Sequence, residues 1–509
     1  MNKFFNIVFG RILYTSLFII LQVAAIVLMF IFISENFAYF YLFSILISVA
    51  VLLHLMYKNG NPEYKLAWVI PILIFPIFGG FLYIMFSRNR SNEHTKKKIG
   101  ELDKYYEKAL KADSQVLEKL ENEDKTAAIQ SRYIKNTAHS VPCQYTKTDY
   151  LPLGEDFFED IMKEIKKAKR FIFLEYFIIE EGYMWDNILD LLKQKQQEGV
   201  EIRIMYDDFG CMFKLPQNYY KKLKSYGFKV HVFHRFNNIL TPAFNNRDHR
   251  KILVIDGIVG YTGGLNLADE YINKTSPFGH WKDTAVKLTG TAVWNFTVMF
   301  LSLWDSLNNI TEDFSQYAAD EEALKQIESD GYVQPFTDIP LDEYEVSKTV
   351  YLNLINRAKD YIYITTPYLI IDNTMIEALC AAATSGVDVR IVTPAIGDHK
   401  YIHFLSRSYY DILIKNGVKI YEYTPGFIHA KNFVCDDKYA VVGTVNLDFR
   451  SLYLHYECAV WMYGCSAVSD IKKDFEKIID VSEQITTPKK RLLISRVALS
   501  ILKAFSPLM

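Results

Sequence analysis

No two of the six cysteines (Cys143, Cys211, Cys380, Cys435, Cys458 and Cys465) form a CxxC pair, so the 509-residue chain carries no zinc-ribbon or thioredoxin-type spacing. Scattered thiols of this kind fit a reduced, cytosol-facing domain that partly buries them. Carboxylates show no metal-binding cluster either, and neither a metal nor another cofactor is expected. A global basic field is missing too. Lys and Arg number 57 against 59 Asp and Glu, a net charge of −2, which argues against a nucleic-acid partner.

Charge is absent from two long stretches near the N-terminus. Ile12 to Ile33 is 22 residues without a charged side chain, enough to cross a hydrocarbon core, and Ala38 to Tyr57 follows it. A cleavable leader would end in a small-residue site rather than lead into a second apolar run, so both are expected to be transmembrane helices. A third apolar stretch, Leu66 to Phe86, is interrupted by Pro71, Pro76, Gly79 and Gly80. Lys3 and Arg11 precede the first span, and Arg88, Arg90, Lys96, Lys97 and Lys98 follow the third stretch. Two full spans keep both basic groups in the cytoplasm, where the positive-inside tendency wants them; a third would export five charges. Residues 1–90 are therefore expected to form a multi-pass anchor, with spans at 12–33 and 38–57 and a re-entrant or interfacial segment at 66–86. The remainder of the chain is then cytoplasmic.

What is abundant is repetition. After a helical connector at 91–135, strand-like and helix-like runs alternate, the pattern of an α/β sandwich. RFIFLEYFII (170–179) reads as a buried strand, WDNILDLLKQKQQEG (185–199) as an amphipathic helix, and VEIRIMYD (200–207) as the next strand. The second half repeats the order with YIYITTPYLII (361–371), MIEALCAAATSG (375–386) and VDVRIVTP (387–394). Two halves, 136–310 and 346–485, are thus expected on either side of an acidic linker at 311–345. The final residues, 486–509, set Lys489, Lys490, Arg491, Arg496 and Lys503 among apolar residues at near-helical spacing. That is a basic amphipathic helix suited to an anionic membrane surface or to covering a core.

Each half carries the same polar frame. HRKILVIDGIVGYTGGLN (249–266) and HAKNFVCDDKYAVVGTVN (429–446) align His249, Lys251, Asp256, Gly263 and Asn266 with His429, Lys431, Asp436, Gly443 and Asn446. Two imidazoles, two ammonium groups and two amides around one pocket suit a phosphodiester. Cations and amides hold the non-bridging oxygens, while imidazoles handle covalency and protons. Gly264 and Thr444, in the turns before the asparagines, are candidate substrate-binding positions. Asp283 in HWKD and Glu457 in HYE are candidates to orient the imidazoles.

The doubled frame resembles the HKD motif of the phospholipase D superfamily, whose members need two copies to build one site. NPEYKLAWVIPILIFPIFGGFLY (61–83), TGGLNLADEY (262–271) and NLDFRSLYLHYE (446–457) are similar to stretches of the bacterial cardiolipin synthases of that superfamily, with His455 where Asn is usual. The resemblance covers essentially the whole chain. It implies two phospholipase D-like α/β halves sharing one active site. It also implies transfer of a phosphatidyl group from one phosphatidylglycerol to another at a bacterial cell membrane, giving cardiolipin and glycerol. By family habit His249 is the nucleophile, forming a phosphohistidine, and His429 the acid and base. Asp256 and Asp436 complete the catalytic motif and are expected to stabilise the fold around the site rather than touch substrate. A phospholipase D, or a transferase using another alcohol, would keep every one of these residues. A nuclease or a non-enzymatic membrane scaffold fits less well. The sequence is silent on oligomeric state.

Overall fold

The computed structural model describes residues 20–28, 37–58, 60–75, 78–80, 82–83, 100, 104, 107–110, 114–235, 246–340, 344–487 and 493–508. They fall into two compact units. One holds the described residues up to 83 together with 500–508, and the other runs from residue 100 to 499.

In the first unit, a 21-residue helix, Phe37–Tyr57, contains no Asp, Glu, Lys or Arg. Most of the expected span at 12–33 lies outside the described residues, and among these no helix is long and apolar enough to cross a membrane. Helix Pro62–Ile74 starts with Pro at its first turn, where the missing N–H costs nothing, and Asn61 caps it by accepting from the Glu63 N–H at 2.8 Å. The chain then doubles back. A side chain on Gly79 would meet the Pro71 carbonyl oxygen at 2.2 Å, and the Tyr83 ring packs edge-on against Trp68 at 5.7 Å. In one straight helix those two rings would sit about 22 Å apart. The described residues of 66–83 thus fold back on themselves, with Leu55, Trp68, Ile72, Tyr83 and Leu508 at the apolar centre.

The second unit is built on two mixed sheets of matching plan. In the first half the strands are β1 (Thr146–Leu151), β2 (Phe171–Tyr176), β3 (Glu201–Asp207), β4 (Lys229–Phe233), β5 (Ile252–Ile255), β6 (Val259–Gly263), β7 (His280–Lys282) and β8 (Ala285–Gly290). In the second they are β9 (Tyr332–Asp338), β10 (Tyr361–Thr365), β11 (Leu369–Ile370), β12 (Asp388–Pro394), β13 (Lys419–Tyr423), β14 (Gly426–Ile428), β15 (Asn432–Cys435), β16 (Tyr439–Gly443), β17 (Leu447–Asp448), β18 (Glu457–Tyr463) and β19 (Ser482–Ile485). The first sheet has the order β1-β8-β6-β5-β2-β3-β4. The second repeats it as β9-β18-β16-β15-β10-β12-β13, with β19 added at the edge. Side chains from both sheets, among them Phe173, Val254, Val286, Val333, Val442 and Tyr456, join in one buried core.

Strand β9 lies within the stretch expected to be a linker. Its Pro335 lacks the N–H that a central strand would use, and β9 takes the edge of its sheet, where that loss is tolerated. The expected connector at 91–135 holds one helix, Ser114–Glu123, and most of a second, Lys125–Ala138, which runs three residues past it.

The motif aspartates sit at the far ends of β5 and β15 from the histidines. Each occupies a tight turn in the left-handed region, Asp256 at φ 54° and Asp436 at φ 53°, a conformation Asp accepts better than most residues. The Asp256 carboxylate accepts from the N–H groups of Lys169, Arg170 and Phe171. Asp436 does the same for Lys359, Asp360 and Tyr361. Both aspartates therefore pin a hairpin turn to the start of a neighbouring strand. Asp256→Ala is expected to cost about 2 kcal/mol through the three lost amide partners. The check is a thermal melt beside turnover per folded molecule; an unchanged melt with lost turnover would refute the structural role.

Candidate functional site

Both histidines leave their own half and are stitched by backbone hydrogen bonds to the other. The His249 N–H donates to the Tyr456 carbonyl at 2.9 Å, and the Tyr456 N–H donates to the Arg247 carbonyl at 2.8 Å. In the second half, β14 pairs in parallel with β7, and the His429 N–H donates to the Lys282 carbonyl at 2.7 Å. Each histidine is thereby brought beside the residue that follows its backbone partner, which is a carboxylate.

The side chains then pair across the halves. His249 Nδ1 lies 2.9 and 3.0 Å from the two oxygens of Glu457, and His429 Nδ1 lies 2.6 Å from Asp283 Oδ2. Sequence reasoning picked out both carboxylates but not this crossing. All four groups are buried. Burial pushes the Glu457 carboxyl up, but its pairing with His249 outweighs that, holding Glu457 below the usual carboxylate range. Asp283 is held low in the same way by His429 and Lys431. Burial takes His249 down to about 3 and His429 down to about 4. An ionised carboxylate can only accept, so each Nδ1 carries the proton and donates it. Each Nε2 is left with a free lone pair.

Gly264 and Thr444 occupy matching positions and serve these carboxylates. A side chain on Gly264 would lie 2.0 Å from Asp283 Oδ1, so glycine there makes room for the acid. The Thr444 hydroxyl donates to Glu457, which also accepts from Ser451 Oγ at 2.6 Å. The two positions expected to bind substrate thus support the orienting acids.

Lys251 and Lys431 are buried, each donating to the carbonyl of its motif histidine, at 2.6 Å for Lys251. Lys431 Nζ also lies 2.9 Å from His429 Nδ1. Burial lowers Lys251 to about 8 and Lys431 to about 7. Asn266 is fixed by the Ile178 N–H at 3.0 Å and the Tyr271 hydroxyl at 2.6 Å, whereas the Oδ1 of buried Asn446 meets no hydrogen-bond partner among the described residues. Sequence reasoning did not single out the aromatic walls. Tyr271 and Trp281 each lie 5.5 Å from the His429 ring, and Phe177 lies 5.1 Å from that of His249. Tyr271 ends TGGLNLADEY and Trp281 lies in HWKD, so both stood within stretches already marked.

Two outcomes follow from this geometry. Gly264→Ala displaces Asp283 and is expected to lower turnover at least about 100-fold in a steady-state assay, a cost typical of misplacing a catalytic group by an ångström; near-normal turnover would refute the packing argument. The lowered Lys431 is charged below about 7 and neutral above it. The free enzyme therefore loses affinity for a phosphodiester as pH rises, and kcat/KM should show an alkaline limb near that value. Lys431→Arg should move the limb upward; an unmoved limb would assign it to another group.

Residues 161–277 and 351–479 match the family described as "Cardiolipin synthase, PLD-like domain", and residues 45–88 match "Phospholipase D-nuclease N-terminal". An uncharacterised protein of Streptococcus mutans is 43% identical over 91% of this chain and 100% of its own length. A cardiolipin synthase of Halalkalibacterium halodurans is 34% identical over 92% of this chain and 94% of its own. A major cardiolipin synthase of Bacillus subtilis is 32% identical, with 92% and 98% covered. Among solved structures, phosphatidylserine synthase of Haemophilus influenzae overlays with a TM-score of 0.56 at 16% identity. The match covers 76% of this chain and 98% of that one, a likeness of fold.

Proposed function

The chain belongs to the cardiolipin synthase family with phospholipase D-like domains, and from that premise we propose the following path for its phosphatidyl transfer. His249 Nε2 attacks the phosphorus of one phosphatidylglycerol, forming a phosphatidyl-histidine. His429 protonates the departing glycerol oxygen. His429 then takes the proton from the free glycerol hydroxyl of a second phosphatidylglycerol, whose oxygen displaces His249 and yields cardiolipin. Lys251, Lys431, Asn266 and Asn446 hold the non-bridging oxygens. The bound phosphodiester's negative charge raises the proton affinity of the neighbouring imidazole, which supplies the acid that the empty site lacks.

The observation that carries this reading is the crossed pairing, in which two imidazoles held by buried carboxylates each keep Nε2 free. Two transmembrane helices at 12–33 and 38–57, a re-entrant segment at 66–86 and the basic C-terminal helix would hold the pocket at the headgroup plane on the cytoplasmic side. The doubling back of the described residues of 66–83 supports the re-entrant segment. Neither lipid then leaves the bilayer. Limiting water access keeps hydrolysis to phosphatidic acid from competing for the intermediate.

The test is the detergent-purified protein with phosphatidylglycerol as sole lipid, and products resolved by mass spectrometry. Cardiolipin with free glycerol, lost in His249→Ala and in His429→Ala, is expected. Phosphatidic acid instead would move the assignment to a hydrolase or to a transferase using another alcohol. Cardiolipin formed by either variant would refute the two-histidine path.

A further inference from the structure

His455 has no task in this transfer. Its ring centre lies 5.5 Å from that of His249, and its Nδ1 lies 3.8 Å from Glu457 Oε1, too far for a hydrogen bond. The side chain is 11% exposed; among the described residues its ring nitrogens meet no hydrogen-bond partner at normal distance, and its nearest acid is Glu457, which it helps hold low.

Donor atoms of His249, His455 and Glu457 all lie within 4.8 Å of one another. Two imidazole nitrogens and a carboxylate form a donor set for a zinc-type cation, with an open position left for water. Metal–ligand bonds of about 2.0–2.1 Å in a tetrahedral site require donors roughly 3.3 Å apart. His249 Nδ1 stands 2.9 and 3.0 Å from the Glu457 oxygens, His455 Nδ1 stands 3.8 Å from one of them, and no donor pair exceeds 4.8 Å, so closing around an ion takes up at most about 1.5 Å per pair. We propose that His249, His455 and Glu457 form a binding site for a zinc-type transition-metal ion, and that filling it silences His249.

The second half of the proposal rests on His249 being the nucleophile. In the metal-free site, Nδ1 carries the proton donated to Glu457 and Nε2 holds the lone pair. A metal bound to Nδ1 takes the proton's place between the ring and Glu457. The neutral ring keeps its single proton, which moves to Nε2, and the attacking lone pair is gone. No electron is transferred and no bond to phosphorus is made. Lys251 is buried next to the same carboxylate and opposes any cation, which favours an ion with strong bonds to nitrogen over Mg²⁺.

The experiment uses the full-length protein in detergent without a polyhistidine tag, titrated with zinc chloride. Calorimetry and cardiolipin formation are followed together, for wild type and His455→Asn. Each variant is compared with its own chelator-treated rate, and a thermal melt establishes that the variant is folded. One zinc bound per wild-type chain is expected, with inhibition reversed by chelator and no effect of equal Mg²⁺. His455→Asn should raise both the dissociation constant and the half-inhibiting concentration at least about tenfold. No stoichiometric binding, or equal binding by the variant, overturns the site. Binding that leaves turnover intact overturns the silencing while leaving the site in place. Because calorimetry does not depend on catalysis, failure of the site and failure of the catalytic reading are distinguishable.

Discussion

Two charged hydrogen bonds that cross between the halves, Glu457 with His249 and Asp283 with His429, set the terms for the rest of the catalytic unit. Buried carboxylates are stable only when paired and fully bonded. Around Glu457 that demand brings in Thr444 and Ser451; around Asp283 it requires the missing side chain of Gly264 and the Thr284 N–H at 2.8 Å. The two sheets deliver these groups by packing into one core, and the β7–β14 ladder fixes the register.

Duplication gave the halves one plan, and divergence made their contributions unequal. Residues leading into and through the first motif include Arg247, Asp248 and Arg250, all buried. Arg250 pairs with Glu175 at 2.5 Å and with Asp248 at 3.4 Å. The corresponding positions of the second motif are Phe427, Ile428 and Ala430. One imidazole therefore emerges from a charged network and the other from an apolar wall formed by Trp281, Phe427 and Tyr271. Two chemically similar groups in unlike surroundings are a means of assigning them different steps.

Much of this was legible in the sequence because a repeat doubles every signal. Strands β2, β3 and β12 and the helices after β2 and β11 match the expected runs closely, since long apolar periods bounded by Gly or charge read clearly, whereas the expected strand at 361–371 is cut after Thr365 into β10 and the short β11 of a separate sheet. The histidines, lysines and asparagines stood out for the same reason. Strand β9 did not, because YVQPFTD mixes polar residues with a proline and takes its place through pairing with β18, more than 100 residues later. The crossing of Asp283 and Glu457 was equally hidden. Each acid follows its own motif in sequence, and only the docking of two sheets hands it to the other histidine. The structural duty of Gly264 and Thr444 was masked by their proximity to Asn266 and Asn446.

The separation of His249 from its carboxylate, 208 residues along the chain, also governs when the site can exist during synthesis. Glu457 leaves the ribosome among the last tenth or so of the polypeptide. Until then His249 has neither its acceptor nor the Tyr456 carbonyl that holds its backbone. A nascent chain short of that point therefore carries an imidazole that cannot yet be aimed. Arrested or truncated products ending before that point would hold His249 without the partner that orients it, so the pairing itself makes the site a property of the finished chain.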